Sequence, residues 1–330
     1  MANKHKLIIV TGGAGFIGSA LIRFLNDQGI TNILVVDDLG KSEKWKNLIG
    51  KQFSQIIHKD RLFTWLEGKE AELGAIFHLG ACSNTMEVDA GYLLANNVHY
   101  SQKLIEYAVK AQIRFIYASS AATYGDGKAG FSDDSSKLLD LKPLNMYGFS
   151  KHLVDLWALK EGFLDKIVGL KYFNIFGPNE DHKGAMTSAL FKMVPEIKNT
   201  GVVKLFKFTK SKGEIESYAD GEQSRDFLYV KEAVKMTASF LGSKETGLFN
   251  IGMGASSTWN YLAKTLFIAL GKEERVEYID MPSQLIGKYQ NYTCADMKKF
   301  FQAFPNYKME PLSQGIFDYI QNYILPGEKW

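Results

Sequence analysis

Short apolar runs alternate with longer segments of helical period along the first 175 residues. The runs "KLIIVT", "NILVVD", "GAIFHLG", "RFIYASS" and "IVGLKYF" are continuous enough to be buried on both faces and too short for helices, so they read as strands. Between them, segments such as 88–110 and 145–162 carry apolar residues at helical spacing. Strands alternating with helices predict an α/β chain whose doubly wound parallel sheet is linked by right-handed crossovers. After about Asn174 the pattern loosens. A helix is predicted over 185–199, followed by the lysine-bearing "VKLFKFTKSKGE" and by "ADGEQSRDFLYV", where the chain returns to a strand. "GLFNIG" at 247–252 adds another strand to the sheet. The last 75 residues mix a helix near 257–270, a strand "VEYID", a loop around Tyr289 and a terminal helix ending near Tyr323. Without repeats or Pro-rich linkers, the second part is expected to be woven into the first.

Composition narrows the functional classes. Apolar residues make up 46% of the 330 and charged residues 23%, an ordinary globular balance. The net charge of +3, from 39 basic and 36 acidic side chains, is too even to point to nucleic acid or an anionic membrane. Cys82 and Cys294 are too few and too far apart for a disulfide framework, which fits a reducing, cytoplasmic setting. Six histidines without paired ligand spacing make a metal site unexpected. The start, "MANKHKLIIVTGG", reads as a first strand rather than a signal peptide, and no apolar run reaches membrane-spanning length.

"TGGAGFIGS" at 11–19 joins the first strand to a helix, with glycines at Gly12, Gly15 and Gly18. Glycine permits the tight turn and lets the backbone approach a pyrophosphate lying on the helix N-terminus. The second strand ends in Asp37, 19 residues past Gly18, where a dinucleotide site carries its ribose-binding acid. The sheet is therefore expected to be Rossmann-type. Asp37 favours the free 2′-hydroxyl of NAD, while Lys41 and Lys44 are either counter-cations for a 2′-phosphate or ordinary surface lysines. The pattern leaves NAD and NADP both open.

Strand-end Ser120, in "YASSAATYG", lies where ligand crevices form in open α/β sheets. "NMYGFSK" sets Tyr147 and Lys151 four apart on one helix face. Alone, such a pair is an ordinary helix surface. After a nucleotide fingerprint and a strand-end serine it reads as acid/base machinery, with Lys151 and an oxidised nicotinamide favouring tyrosinate.

These features resemble the extended short-chain dehydrogenase/reductase family, whose members oxidise, epimerise or dehydrate nucleotide-linked sugars. Within it, "FHLGACSNTMEVD", "KPLNMYGFSK", "FGPNEDHKGAM", "DGEQSRDFLYV" and "GKYQNYT" are similar to 6-epimerases of ADP-glyceromanno-heptose, over essentially the whole chain. That branch makes activated heptose for bacterial lipopolysaccharide core. The resemblance implies that Tyr147 and Lys183 are two acid/base residues acting through a 6-keto intermediate, assisted by Ser120 and Lys151. It implies NADP, with NAD not excluded, held by Gly12, Gly15, Phe16, Ile17, Gly18, Asp37, Asp38, Lys44, Lys59, Leu79, Gly80, Ala81, Cys82, Ser83, Asn96, Lys151, Ile175 and Lys183. The substrate would contact Asn174, Ala185, Lys192, Phe206, Arg225 and Tyr289. Arg225 suits a diphosphate, since its planar fork pairs two oxygens; an ion pair with Asp226 is the plainer alternative. Asp38 stands where the family often has asparagine and would repel a 2′-phosphate. Ala185 stands where it commonly has serine. The dinucleotide-binding part is expected at 1–173 with 226–252, and a smaller α/β substrate lobe at 174–225 with 253–330. A homo-oligomer, a pentamer by the family's habit, is also implied.

Three rivals remain in view. A UDP-hexose 4-epimerase would use Ser120, Tyr147 and Lys151 without needing Lys183. A 4,6-dehydratase lacks its acid pair, because "SSAATYG" offers only alanines and threonine there. A nucleotide-sensing protein on a retired enzyme fold would be expected to have lost Tyr147 or Lys151.

Overall fold

A computed structural model describes residues 6–209, 217–282 and 290–330. The strands are β1 (Leu7–Thr11), β2 (Ile33–Asp37), β3 (Gln55–His58), β4 (Leu73–His78), β5 (Arg114–Ser120), β6 (Val168–Tyr172), β7 (Asn174–Phe176), β8 (Val203–Phe206), β9 (Ser224–Arg225), β10 (Phe227–Tyr229), β11 (Gly247–Ile251), β12 (Ser257–Thr258) and β13 (Val276–Ile279). The helices are α1 (Phe16–Asp27), the single turns α2 (Leu62–Trp65) and α3 (Ala90–Leu93), α4 (Tyr100–Lys110), α5 (Met146–Lys160), α6 (Ala189–Thr200), α7 (Val230–Ser239), α8 (Trp259–Ala269), α9 (Lys298–Ala303) and α10 (Leu312–Tyr319).

Seven strands form one all-parallel sheet in the order β11-β6-β5-β4-β1-β2-β3. β1, β2 and β6 are buried along nearly their whole length, as continuous apolar runs between helical layers must be. The strand order reverses between β1 and β4, which opens a crevice at the carboxyl ends of those strands. The remaining strands pair in twos: β7 with β10, β9 with β12, β8 with β13.

The expected doubly wound sheet is present with the six strands predicted for it, while the strands read in "ADGEQSRDFLYV" and "VEYID" form β10 and β13 of the two-stranded pairs. β3 was not anticipated. It is a four-residue edge strand, "QIIH", mostly exposed, with too little apolar pattern to announce itself. The predicted helix over 88–110 holds, but its turn at Leu94–His99 is π-wound. The helix expected from 185 starts at Ala189, because 181–186 form a 3-10 turn broken at Gly184 (φ 55°) and Ser188 caps the helix by accepting from Phe191 N–H. Among the described residues, no helix is long and apolar enough to cross a membrane.

Candidate active site

The glycine turn shows why the nucleotide pattern folds as it does. Gly12 adopts φ 66°, and a Cβ there would lie 2.6 Å from Gly80 Cα. A Cβ on Gly18 would come within 2.1 Å of the Gly12 carbonyl oxygen. Two backbone segments can therefore touch only because both side chains are missing. Behind Gly15 no side chain caps α1, and its first turn carries no acid, so its N–H groups are left for an anion.

That turn floors a cleft of about 760 Å3 at the strand carboxyl ends. Every residue read as cofactor-binding lines it: Gly12, Gly15, Phe16, Ile17, Gly18, Asp37, Asp38, Lys44, Lys59, the 79–83 stretch, Asn96, Lys151, Ile175 and Lys183. Asp37 is buried, accepting from Ala14 N–H at 2.8 Å and Asp38 N–H at 2.8 Å. Lys44 reaches the same carboxylate at 2.7 Å, so it is a paired group and not a free surface lysine. Asp38 faces His58 at 3.4 Å, and Lys59 donates to Asn96 Oδ1 at 2.7 Å. Asn97 clamps the backbone of Cys82 from both sides, receiving its N–H at 2.8 Å and donating to its carbonyl at 3.0 Å.

The catalytic candidates line the same cleft. Asn145 caps α5 by accepting from Gly148 N–H at 2.8 Å, which starts the helix where Tyr147 and Lys151 face inward. Gly148 lets α5 approach, since a Cβ there would lie 2.7 Å from the Ala122 carbonyl. Ser120 hydrogen-bonds Tyr147. Burial pushes the Tyr147 hydroxyl above its ordinary value, and the Ser120 bond pulls it partly back. The expected depression by Lys151 does not dominate. Lys151 is itself buried, donates to the Ala118 carbonyl at 2.8 Å, and is lowered by burial to about 8. Beneath it, Asp155 accepts from Tyr117 (2.7 Å), Ser119 (2.8 Å) and Lys171 (2.6 Å), and neither member of the Asp155–Lys171 ion pair is solvent-exposed.

Lys183 enters the cleft from the 3-10 turn after β7, half-buried, with its ammonium 5.3 Å from the centre of the Phe16 ring. Burial lowers its pKa and Lys192 adds to that, while Glu180 opposes both. Ser120, Tyr147, Lys151 and Lys183 thus share one cleft, with Asn174 beside them.

The other substrate candidates are spread more widely. Ala185 and Lys192 meet, the lysine donating to the Ala185 carbonyl at 2.6 Å, outside the cleft lining. Phe206 ends β8 against Ile279, and Arg225 lies buried in β9 opposite Ser257; neither lines the cleft. Asp226 does not take the role of ion-pair partner to Arg225: its carboxylate accepts the backbone N–H groups of Met253, Gly254 and Ala295. Tyr289 lies outside the described residues, as do Lys210 and Lys212, while Lys207 pairs with Asp280 at 3.0 Å. Sequence reasoning missed Asn84, Thr85, Met186, Phe227 and Trp259, which also line the cleft. Asn84, Thr85, Met186 and Phe227 lie inside the quoted motifs, which was their signal, while Trp259 lies in none; the Phe227 and Trp259 rings meet edge to face at 5.3 Å.

A glycine turn under an uncapped helix, a strand-end serine and an inward-facing Tyr-x-x-x-Lys pair make up a nucleotide-dependent redox site, and residues 8–252 match the NAD dependent epimerase/dehydratase family, to which the chain belongs. Its cofactor is accordingly a nicotinamide nucleotide. The ADP-L-glycero-D-manno-heptose-6-epimerase of Nitratidesulfovibrio vulgaris is 47% identical over 325 residues, covering 98% of this chain and 99% of that protein. The protein of the same name from Fusobacterium nucleatum is 43% identical, covering 98% and 100%. Among solved structures, the Helicobacter pylori ADP-L-glycero-D-manno-heptose-6-epimerase superposes with a TM-score of 0.79 at 27% identity, covering 97% and 96%. A UDP-N-acetylglucosamine 4-epimerase from Methanobrevibacter ruminantium gives 0.77 at 26%, covering 97% and 99%.

Proposed function

We propose that this chain inverts C6 of ADP-D-glycero-D-manno-heptose to ADP-L-glycero-D-manno-heptose, through a 6-keto sugar, with NADP as its nicotinamide nucleotide. The observation that carries this reading is that two acid/base candidates on separate elements, Tyr147 on α5 and Lys183 after β7, line one cleft. The two epimers present the C6 hydroxyl differently to a fixed hydride partner, so a single base cannot serve both poses. The relatives' names and near-complete coverage supply the substrate.

The bound nicotinamide supplies the hydride acceptor and donor at C6. The α1 turn and residues 79–83 hold that nucleotide, and Asp37 with Lys44 takes its ribose. Lys44, paired with Asp37, brings a cation to the ribose end that favours a 2′-phosphate, against the repulsion of Asp38. Ser120 holds the C6 oxygen. Tyr147 exchanges a proton with it in one pose and Lys183 in the other; burial lowers the Lys183 pKa, which eases loss of its proton. Residues 1–173 with 226–252 form the nucleotide-binding part in this reading, and 174–225 with 253–330 hold the sugar nucleotide. The enzyme works in the cytoplasm as a homo-oligomer, a pentamer on the family's pattern.

The test is to incubate purified protein with ADP-D-glycero-D-manno-heptose, with and without added NADP, and resolve the C6 epimers by chromatography. A mixture of both epimers is expected from either starting epimer. No conversion here, with C4 inversion of a UDP-hexose instead, would replace this reading by the 4-epimerase. Lys183→Met is expected to lower turnover by about 100-fold or more, the scale of a lost acid/base group. Turnover near wild type in that variant would remove Lys183 from the chemistry.

A further inference from the structure

The loop from Gly177 to Ser188, which carries Lys183, is held in conformations that a chain rarely adopts unaided. Gly177 has φ 143°, Asn179 φ 77° and Gly184 φ 55°, and Asn179 does so with a side chain. Such a loop persists only when its surroundings over-determine it, and two sets of contacts do so. Towards the nucleotide side, Asn179 donates to Ser19 at 3.1 Å, and Asn47 donates to the Asn179 carbonyl at 3.1 Å and meets His182 Nδ1 at 3.1 Å. Towards the other side, four contacts converge on one carboxylate.

That carboxylate is Glu180, which is fully buried. Its Oε1 accepts from Gly177 N–H at 3.2 Å, Ser188 Oγ at 2.7 Å and Tyr319 Oη at 2.9 Å, and its Oε2 accepts from Ser188 N–H. The glutamate thus ties the first residue of the loop to the residue that caps α6, and both to α10. Lys183 is fastened to it in turn, since Lys183 N–H donates to the Glu180 carbonyl at 2.9 Å. Nothing in the proposed chemistry uses Glu180.

We propose that Glu180 is the positioning residue of Lys183: by closing the 177–188 loop on itself and onto α10, it fixes where the Lys183 ammonium enters the cleft. This rests on the acid/base role given above to Lys183. Glu180 does not line the cleft and touches no reacting atom. Its influence on Lys183 is geometric first, through the loop, and electrostatic second. The charged groups acting on Lys183 are Glu180 on its own loop and Lys192 on α6, with the Phe16 ring of α1 below it. Its loop neighbours are engaged elsewhere, Asp181 with Lys329 and His182 with Asn47. Tyr319 is the titratable group facing Glu180 from α10, and burial keeps its hydroxyl protonated as a donor.

Glu180→Gln keeps the shape and removes the anion, setting an amide N–H2 against donors that need an acceptor. Expected is a fall in kcat of about tenfold or more, from one unsatisfied buried contact, with KM for the sugar nucleotide within about threefold and the content of bound nicotinamide nucleotide unchanged. With the anion gone, burial and Lys192 act on Lys183 unopposed, so the limb of the kcat–pH profile that belongs to Lys183 moves to lower pH. A merely structural glutamate would not move that limb. Tyr319→Phe, which removes one donor and keeps the ring, is expected to lower kcat about two- to tenfold at unchanged KM. Wild-type kcat and pH profile in Glu180→Gln would overturn the inference; if that variant does not fold, wild-type kcat in Tyr319→Phe would do the same. Lys183→Met is measured alongside. Absence of epimerisation by the wild type would instead strike at the function, and wild-type turnover in Lys183→Met at the role of Lys183.

Discussion

At Lys151 the proposed chemistry and the stability of the fold pull against each other. Its ammonium is buried against one carbonyl oxygen, and burial lowers its pKa from 10.5 to about 8. Below pH 8 both folded and unfolded chains carry the charge, and the folded state bears the whole cost of burying it. Between pH 8 and 10.5 the unfolded chain binds a proton that the folded one has released, so this contribution to stability rises with pH across that window. Lys151→Met should therefore be more stable than wild type at pH 7, by something on the order of 2–3 kcal/mol. Urea melts at pH 7 and pH 10 should show that advantage shrinking as pH rises, while epimerase activity falls at least about 100-fold at both. An unchanged gap between the two pH values would mean that the buried lysine keeps its proton up to pH 10, its pKa not lowered by burial. The motif residues were legible because they act in sequence-local sets: the glycine turn, Ser120, and Tyr147 with Lys151. Asn47, Asn179 and His182 were not. They meet across 132 and 135 positions, and no local pattern announces an asparagine whose partner is that distant.

At the scale of elements, the seam between β5, β6 and α5 holds Ser120 and Tyr147 in register. Asp155 on α5 binds Tyr117 and Ser119 of β5 and Lys171 of β6, and Lys171 also donates to Thr123 at 2.8 Å in the turn after Ser120. Breaking a fully buried ion pair leaves an uncompensated charge, so Asp155→Asn should cost about 3–5 kcal/mol. The double change Asp155→Leu with Lys171→Met should recover much of that, since neither charge then needs a partner. Thermal melts of the single and double variants check both outcomes; a single variant as stable as wild type would mean the pair is not buried in solution. The elements themselves were readable where the period was long or the apolar run continuous. They were misread where those signals fail, at the short exposed β3 and at the start of α6, where the Ser188 cap outweighs an earlier helical period.

For the molecule as a whole, the nucleotide is expected to be part of the fold's stability and not only of its chemistry. The cleft is built where β1, β4 and β5 end, with α1, α5 and the Lys183 loop around it. A ligand present at a thousand times its Kd stabilises by about 4 kcal/mol, so stripping the nicotinamide nucleotide should lower the melting temperature and re-adding it should restore it. A melting curve indifferent to NADP and NAD would count against the cleft as their site. The overall topology could be anticipated because alternating strands and helices allow few arrangements; the docking of Trp330 against Lys51 and Asn179 could not, being settled only by tertiary packing. The strand order also sets a timetable for synthesis. β11 closes the sheet against β6, yet Gly247 leaves the ribosome long after Tyr172. At about 5–20 residues per second, β6 waits for seconds as an uncovered parallel edge rich in apolar side chains, the kind of template that neighbouring nascent chains can pair with. A message stalled or truncated before codon 247 would release that edge for good, and such fragments should be the ones found in inclusion bodies.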